Sequence, residues 1–420
     1  MEPNIAPHCH PKSLILNVSF NPREGAGITI GNLFWNWPID CLANACINCY
    51  HDDNKCINYF DIGTSKTENN KQNKNGNIVA LDSGEFKNSP LKKLLIGFKT
   101  TGESFGFINK ISLSAEFLTW VQKFDPQIIY AVSFSAKDIP FLIAIKNSLN
   151  IPMVLHIYDD WIEHNRYGYF KFLFSWIVKL RFKKLLKKCD GHFAISEKMA
   201  EVYTKRYGLK FKSFHNPSNF SPSHRRHINL NKREIKIGIF GTVGENNINE
   251  IMLLNDAVNE FESADISIHL YGSIRKTQMI EDLVSKARIV VHGLIPHNEI
   301  YERLIECDIL FLPLSFKKAN KRYLQLSMPT KFTEFLSSGV PILVFAPSDF
   351  ALSEYSRKNK CAFVVSNYSK EELLNGLHRL IENNENTVAI ISKALDLFSK
   401  SHNIEKVSEN FKNNLLKFVK

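Results

Sequence analysis

Apolar and polar positions fall into the same rhythm in both halves of this chain. In the second half, short apolar runs stand out at 236–243 (KIGIFGTV), 267–273 (SIHLYGS), 288–293 (RIVVHG), 308–314 (DILFLPL) and 341–347 (PILVFAP). Most are separated by stretches of helical periodicity. Near-continuous apolar runs predict strands buried on both faces, and strands alternating with helices predict parallel α/β sheets. The first half is less regular. It predicts a strand from Leu14 to Phe20, a Gly-containing loop, and a helix from about Ile28. Further strands are expected near Cys46 to Tyr50, at Ile128–Val132 and at Met153–Ile157. The run HFAISEKMAEVYTKRYG reads as strand, cap and helix, with Ser196 as N-cap. Residues 64–77 are polar and of low complexity, which predicts a mobile surface loop. Residues 216–234, rich in Asn, Pro, Ser and Arg, predict an interdomain linker. The chain closes on a long amphipathic helix pattern, and no repeat of solenoid period occurs.

Length and composition agree with this division. A chain of 420 residues, 44% hydrophobic and 23% charged, supplies two cores. No apolar run approaches the roughly 18 residues that span a bilayer. The opening residues lack the pattern of a secretory signal, so a cytoplasmic protein is expected. The formal charge of +11 points to an anionic partner: nucleic acid, an anionic membrane or phosphorylated ligands.

Eight cysteines raise the question of metal. Cys41, Cys46, Cys49 and Cys56 cluster around His51. The first three have the spacing of a plant-type iron–sulfur loop, and Cys46-x-x-Cys49 is half of a zinc pattern. Against this, CLANACINCY reads as the end of an apolar helix running into a buried strand, where cysteine acts as a small hydrophobe. Reduced thiols and no metal are therefore expected.

The most chemically specific segment is SMPTKFTEFLSSGVPILVFAP, 327–347. Pro329 opens a short helix with Lys331 in its first turn, Glu334 one turn on and Gly339 at its end. Free amides at a helix start suit a diphosphate, and a lysine adds a point charge. A carboxylate one turn further can accept hydrogen bonds from a sugar diol. The plainer alternative is a capped helix on a sheet, with Lys331 and Glu334 merely solvated.

Glu334, Gly339 and Pro341, in the pattern Glu-x4-Gly-x-Pro, resemble the donor-site motif of GT-B glycosyltransferases, especially family 4 and its bacterial polysaccharide-locus relatives. The resemblance implies two Rossmann-like doubly wound α/β domains facing a central cleft. The implied division is 1–220 for the acceptor, 221–400 for the sugar nucleotide, and 401–420 as a helix crossing back to the first domain. It also implies that Glu334 binds the donor ribose. Many family 4 enzymes carry another glutamate seven residues earlier, where this chain has Ser327. The Ser-x-Pro-x-Lys-x-x-Glu variant is present in full, and Ser327 and Thr330 are expected among the donor contacts.

Other motifs extend the resemblance. The strand at 236–243 runs into Gly241-Thr242-Val243-Gly244, where glycines let amides approach a phosphate; a tight turn explains them equally well. The family often follows this strand with an arginine and a lysine, and GTVGENNINE has neither. Phosphate contacts are then expected from Gly241, Thr242 and Lys331, with Arg275 as helper. In VHGLIPHNEIYERLIECDILFLPLSF, also similar to the family, Leu294 and Ile295 take the place of the loop under the donor base. Gly25 and Gly27 match a family glycine turn facing the cleft, within the similar run REGAGITIGNLFWNWP. In MVLHIYDDW, Asp159 and Asp160 follow a buried strand, where a carboxylate can orient an acceptor hydroxyl and take its proton; helix capping is the alternative. Paired aspartates also suit a divalent ion, but GT-B enzymes generally work without one, so neither metal nor cofactor is expected.

Residues 166–188 hold eight basic residues, seven aromatics and no acid. This pattern suits an anionic membrane surface better than nucleic acid, which no binding signature accompanies. A core helix with a solvated basic rim is the bland alternative. The combined expectation is a retaining glycosyltransferase, peripheral on the inner face of the plasma membrane. It would move a sugar from a nucleotide-sugar donor to a glycan or lipid-linked acceptor. A sugar-nucleotide epimerase of the same architecture, or a catalytically silent homologue that binds nucleotide sugar or glycan, remains as the alternative.

Overall fold

The computed structural model describes residues 10–63, 113–163, 171–221, 234–244, 246–275, 277–382 and 384–419. The polar stretch 64–77, most of the linker at 222–233, and 166–170 of the basic segment lie outside these. The chain divides into two compact units. One comprises 1–194, 200–213 and 410–420; the other comprises 195–199 and 214–409.

The first unit is built on seven parallel strands: β1 (Ser13–Leu16), β2 (Leu42–Cys46), β3 (Asn58–Asp61), β4 (Ile128–Val132), β5 (Met153–Ile157), β6 (Gly191–Ala194) and β7 (Lys212–Ser213). Their order across the sheet is β3-β2-β1-β4-β5-β6-β7. Strand β1 is shorter than its apolar run because Asn17 takes φ 65° and turns the chain, its side-chain amide donating to the Val132 carbonyl at 3.2 Å. The second strand lies at Leu42–Cys46, not at 46–50 as the pattern suggested. Its central Asn44 is fully buried and its amide donates to the carbonyls of Ile15 and Val18. Cys46 and Cys49 are disulfide-bonded, which corrects the expectation that all the thiols are reduced. Asn48, at φ 53°, turns the chain so that the two Cα atoms lie 5.2 Å apart, within bridging reach. Cys41, Cys56, Cys189, Cys307 and Cys361 are free thiols. Phe411, from the helix Ile404–Leu416, packs edge-on against Phe34 and Tyr130 and tilted against Phe193.

The second unit carries β8 (Glu234–Phe240), β9 (Asp265–Tyr271), β10 (Ile289–Gly293), β11 (Ile309–Pro313), β12 (Ile342–Phe345) and β13 (Phe363–Val365). All are parallel, in the order β10-β9-β8-β11-β12-β13. In β8 the period of two assigns each side chain to a layer. Ile235, Ile237 and Ile239 join the helices Ile248–Asn259 and Lys370–Glu382 on one face. Phe240 joins Phe332, Phe335, Leu336 and Phe398 on the other. Both faces are covered by helices, as a parallel sheet requires. The strand order reverses between β8 and β11, and the crevice outside the carboxyl ends of such strands is where doubly wound sheets hold ligands.

Candidate functional site

At that crevice β8 ends on Phe240, and Gly241 follows with φ +103°. Its amide donates to the Tyr271 carbonyl at 2.7 Å. Gly272, at φ +143°, lies so close that a Cβ there would strike the Gly241 backbone, and its own amide donates to the Gly293 carbonyl at 2.7 Å. The three glycines thus bring the ends of β8, β9 and β10 together. Leu294 beyond them is 79% exposed, whereas Ile295 packs on the core.

The helix Lys331–Ser337 brings the second component. Its apolar face, Phe332, Phe335 and Leu336, is buried with the helix Asn384–Ser401 behind it. That packing directs Lys331 to the end of β8, where its amine donates to the Phe240 carbonyl. A Cβ on Gly241 would collide with this amine. Gly241 is thus favoured by its backbone conformation, and a side chain there would also displace the lysine amine from its present place. Burial pulls the Lys331 pKa down from 10.5 to about 8, with Glu334 opposing the fall. Glu334, on the same helix, is itself 8% exposed.

The turn after β8 is pinned by a residue that the sequence reading passed over. Asn247 accepts from the Gly244 amide at 2.9 Å and donates to the Thr242 carbonyl at 2.9 Å. Thr242 and Ser273 share a hydroxyl hydrogen bond of 2.9 Å on the exposed side. Arg275 is exposed, with its stem laid along Gly244 and its amide donating to the Val243 carbonyl. Gly241, Thr242, Arg275 and Lys331 therefore share one end of the sheet. Ser327 donates its hydroxyl to the Tyr323 carbonyl, and the Thr330 carbonyl accepts from Asn216 at 3.1 Å and from Thr333 at 3.0 Å. Asn216 was assigned to the linker, yet it anchors the start of the lysine-bearing helix.

In the first unit the expected residues part company. Asp159 is half-buried at the C-terminal end of β5. Asp160, expected as a second acceptor-side carboxylate, is 2% exposed and has both oxygens engaged. It takes a bidentate pair from Arg206 at 2.9 and 3.0 Å and a hydrogen bond from Tyr203 at 2.8 Å. That is a structural clamp, with no oxygen left over for an acceptor proton. Gly25 and Gly27 sit in the first turn of the helix Gly25–Leu33, not in a loop. A Cβ on Gly27 would strike the backbone of Asn21, so this glycine admits close packing of helix on loop. Among the described residues no group of three or more His, Cys, Asp or Glu is arranged to hold a metal ion.

Residues 234–383 match the family described as Glycosyl transferases group 1, and residues 95–216 match Glycosyltransferase Family 4. Together these matches cover more than half of the chain. The chain belongs to the GT-B glycosyltransferases of the family 4 and group 1 type. No curated protein matches it. Among solved structures it resembles HepE of Anabaena in complex with UDP, at 15% identity over 96% of this chain and 99% of that one, with a TM-score of 0.60. Sucrose-phosphate synthase of Thermosynechococcus elongatus is similar at 13% identity over 96% and 98%, TM-score 0.62. TarM, a protein of S. aureus, is similar at 11% identity over 98% and 100%, TM-score 0.60. At these identities the likeness is one of fold, and it extends the GT-B architecture over nearly the whole glycosyltransferase chain. Among the described residues no helix is long and apolar enough to cross a membrane.

Proposed function

We propose that this glycosyltransferase moves a sugar from a nucleotide-sugar donor to a hydroxyl of a glycan or lipid-linked acceptor, with retention at the anomeric carbon, in the synthesis of a bacterial surface polysaccharide. The observation that carries this reading is the meeting of Lys331 with the glycine-ended strand β8. There a partly buried amine, held against a backbone carbonyl, awaits a stronger acceptor. A donor diphosphate entering beside Gly241 replaces the Phe240 carbonyl as partner of the amine. The negative charge then raises the lysine pKa and keeps the amine protonated while the diphosphate leaves. Glu334 accepts hydrogen bonds from the ribose diol. The UDP and UDP-glucose complexes of HepE support a uridine nucleotide as the first donor to try. Asp159 orients the acceptor hydroxyl and takes its proton. The positive charge comes from Lys331, because the Gly241, Val243 and Gly244 amides already donate within the protein, and the proposed chemistry calls for no metal and no cofactor.

The helix Lys171–Lys188 supports a membrane-side acceptor. Phe182, Leu185 and Leu186 are buried. Trp176, Leu180, Lys183, Lys184 and Lys187 are exposed at helical spacing on the opposite side. An aromatic anchor beside lysines suits an anionic membrane surface, and we assign this face to the inner leaflet.

The test is product analysis with a panel of nucleotide sugars. Slow release of nucleoside diphosphate without acceptor, and transfer with a lipid-linked saccharide, is the expected result. An isomerised nucleotide sugar formed without acceptor would identify an epimerase. No turnover under either condition would leave a binding protein.

A further inference from the structure

The Cys46–Cys49 bridge spans a sequence separation of 3. A disulfide steadies a fold mainly by restraining the unfolded chain, and the effect grows with the loop it closes. A bridge this short is a weak staple. It also joins no two elements, because Cys46 ends β2 and Cys49 lies in the turn that follows. The two ends differ in access. Cys46 is 5% exposed, whereas Cys49 is partly exposed between Asn48 and Tyr50, both exposed. Cys49 is therefore the end that an attacking thiolate reaches, and access of this kind governs thiol–disulfide exchange. The buried thiols are inert by comparison. Burial pushes the pKa of Cys56 up to about 11 and those of Cys189, Cys307 and Cys361 up to about 12.

The bridge is tied to the turn after β1. The Cys49 sulfur lies 3.7 Å from the side-chain oxygen of Asn44. The amide of the same side chain donates to the Ile15 carbonyl at 3.2 Å and to the Val18 carbonyl at 2.7 Å. The Asn17 amide donates to the Ala45 carbonyl at 3.1 Å, and the Ile62 amide to the Cys46 carbonyl at 3.0 Å. The end of β2 thus holds the turn after β1 on one side and the end of β3 on the other. The strand order of this sheet reverses between β1 and β4. The turn after β1 therefore borders the crevice in which such sheets hold ligands.

We propose that Cys46 and Cys49 form a reversible thiol–disulfide site, reduced by a dithiol and re-formed by a disulfide oxidant, and that reduction loosens the turn at 17–24. One thiolate of the dithiol attacks the Cys49 sulfur. The bridge breaks, and its electron pair leaves on the Cys46 sulfur, which takes a proton. The second thiolate of the dithiol attacks its own sulfur in the mixed disulfide. Cys49 leaves as a thiolate and takes a proton, and the dithiol departs as a disulfide. Two electrons and two protons have then passed to the pair. Reduction turns the Cys49 sulfur into an S–H donor facing Asn44, the residue that pins Val18. It also frees the turn in which Asn48 stands at φ 53°. The site belongs to the first unit alone and stands whether or not the proposed transfer is correct.

The test treats the folded full chain with dithiothreitol, then iodoacetamide, and maps the products by peptide mass spectrometry. Cys46 and Cys49 should stay bridged without dithiothreitol and both be alkylated after it, while Cys56, Cys189, Cys307 and Cys361 stay largely unmodified. Glutathione disulfide should restore the bridge. Hydrogen exchange, followed on the reduced chain before alkylation, should quicken severalfold over 17–24 and stay unchanged over 236–244. Cys49→Ser should show the quickened exchange with or without dithiothreitol; if that variant does not fold, the wild-type comparison decides. A bridge that opens only on denaturation overturns the proposal, as does unchanged exchange over 17–24 in the reduced chain.

Discussion

Replacing Lys331 by Met separates binding from folding. Methionine keeps the stem that packs over Gly241 and removes the charge. A pKa lowered from 10.5 to about 8 means that holding the amine charged inside the fold costs roughly 3 kcal/mol more than in the unfolded chain. The charged hydrogen bond to the Phe240 carbonyl contributes on the order of 1.5–3 kcal/mol in the other direction. The two nearly cancel, so Lys331→Met should change stability by about 1 kcal/mol or less. The sign with pH follows from linkage. Between about 8 and 10.5 the unfolded chain binds more protons at this site than the folded one, so wild-type stability gains from this group as pH rises through that window. The variant should lack that gain. Nucleoside diphosphate binding should weaken by about 2 kcal/mol, roughly thirtyfold, because a charge-assisted contact is lost. Chemical denaturation at several pH values and titration calorimetry provide both readouts. Unchanged diphosphate affinity together with a stability loss above about 3 kcal/mol would make Lys331 a structural strut and refute the reasoning.

Four further outcomes follow from the same geometry. Glu334→Gln should lower nucleotide affinity while leaving the melting temperature intact, and calorimetry with a nucleoside diphosphate checks it. Gly241→Ala should cost on the order of 1–3 kcal/mol and lose donor binding, since both its φ and the lysine stand against a Cβ; Gly244→Ala meets only the flexible Arg275 stem and should be mild in the same denaturation assay. Asp160→Asn should destabilise by about 2–3 kcal/mol by removing the bidentate partner of half-buried Arg206 and leaving it with Glu163 at 4.0 Å, whereas Asp159→Asn should keep the melting temperature and nucleotide binding but lose transfer. Changing Lys183, Lys184 and Lys187 to Gln should release the protein from anionic vesicles in sedimentation without altering donor affinity; equal binding to neutral vesicles would assign that helix face to another role.

The second unit was readable because its central strands are buried on both faces, so each appears as an apolar run. The strand ends were displaced by the glycines: Gly241 and Gly272 continue the apolar run but leave extended geometry. Strand β2 was misplaced because Asn44 interrupts its pattern, although the strand's own neighbours satisfy that amide. Strand β3, NYFD, carries polar residues at both ends and gave no signal. Within the site, the short-range motif around Lys331 and Glu334 was visible. The partner of Lys331 stands 91 residues away and that of Asp160 stands 46 away, and such pairings are set by topology. The basic helix showed its charge in sequence, but its second half is not basic all round. Phe182, Leu185 and Leu186 turn one face inward, and Lys188 is bound to Asn147 at 2.7 Å, leaving Lys183, Lys184 and Lys187 for the surface.

The central claim is that the end of β8 and the helix Lys331–Ser337 hold a nucleotide sugar. Thermal unfolding against a panel of nucleotide sugars, run on wild type, Lys331→Met and Glu334→Gln, tests it most directly. A ligand that binds the folded state raises the melting temperature by mass action. At least one nucleotide sugar should stabilise the wild type, and both substitutions should diminish the shift. Equal stabilisation of all three proteins, or none by any nucleotide sugar, would contradict it.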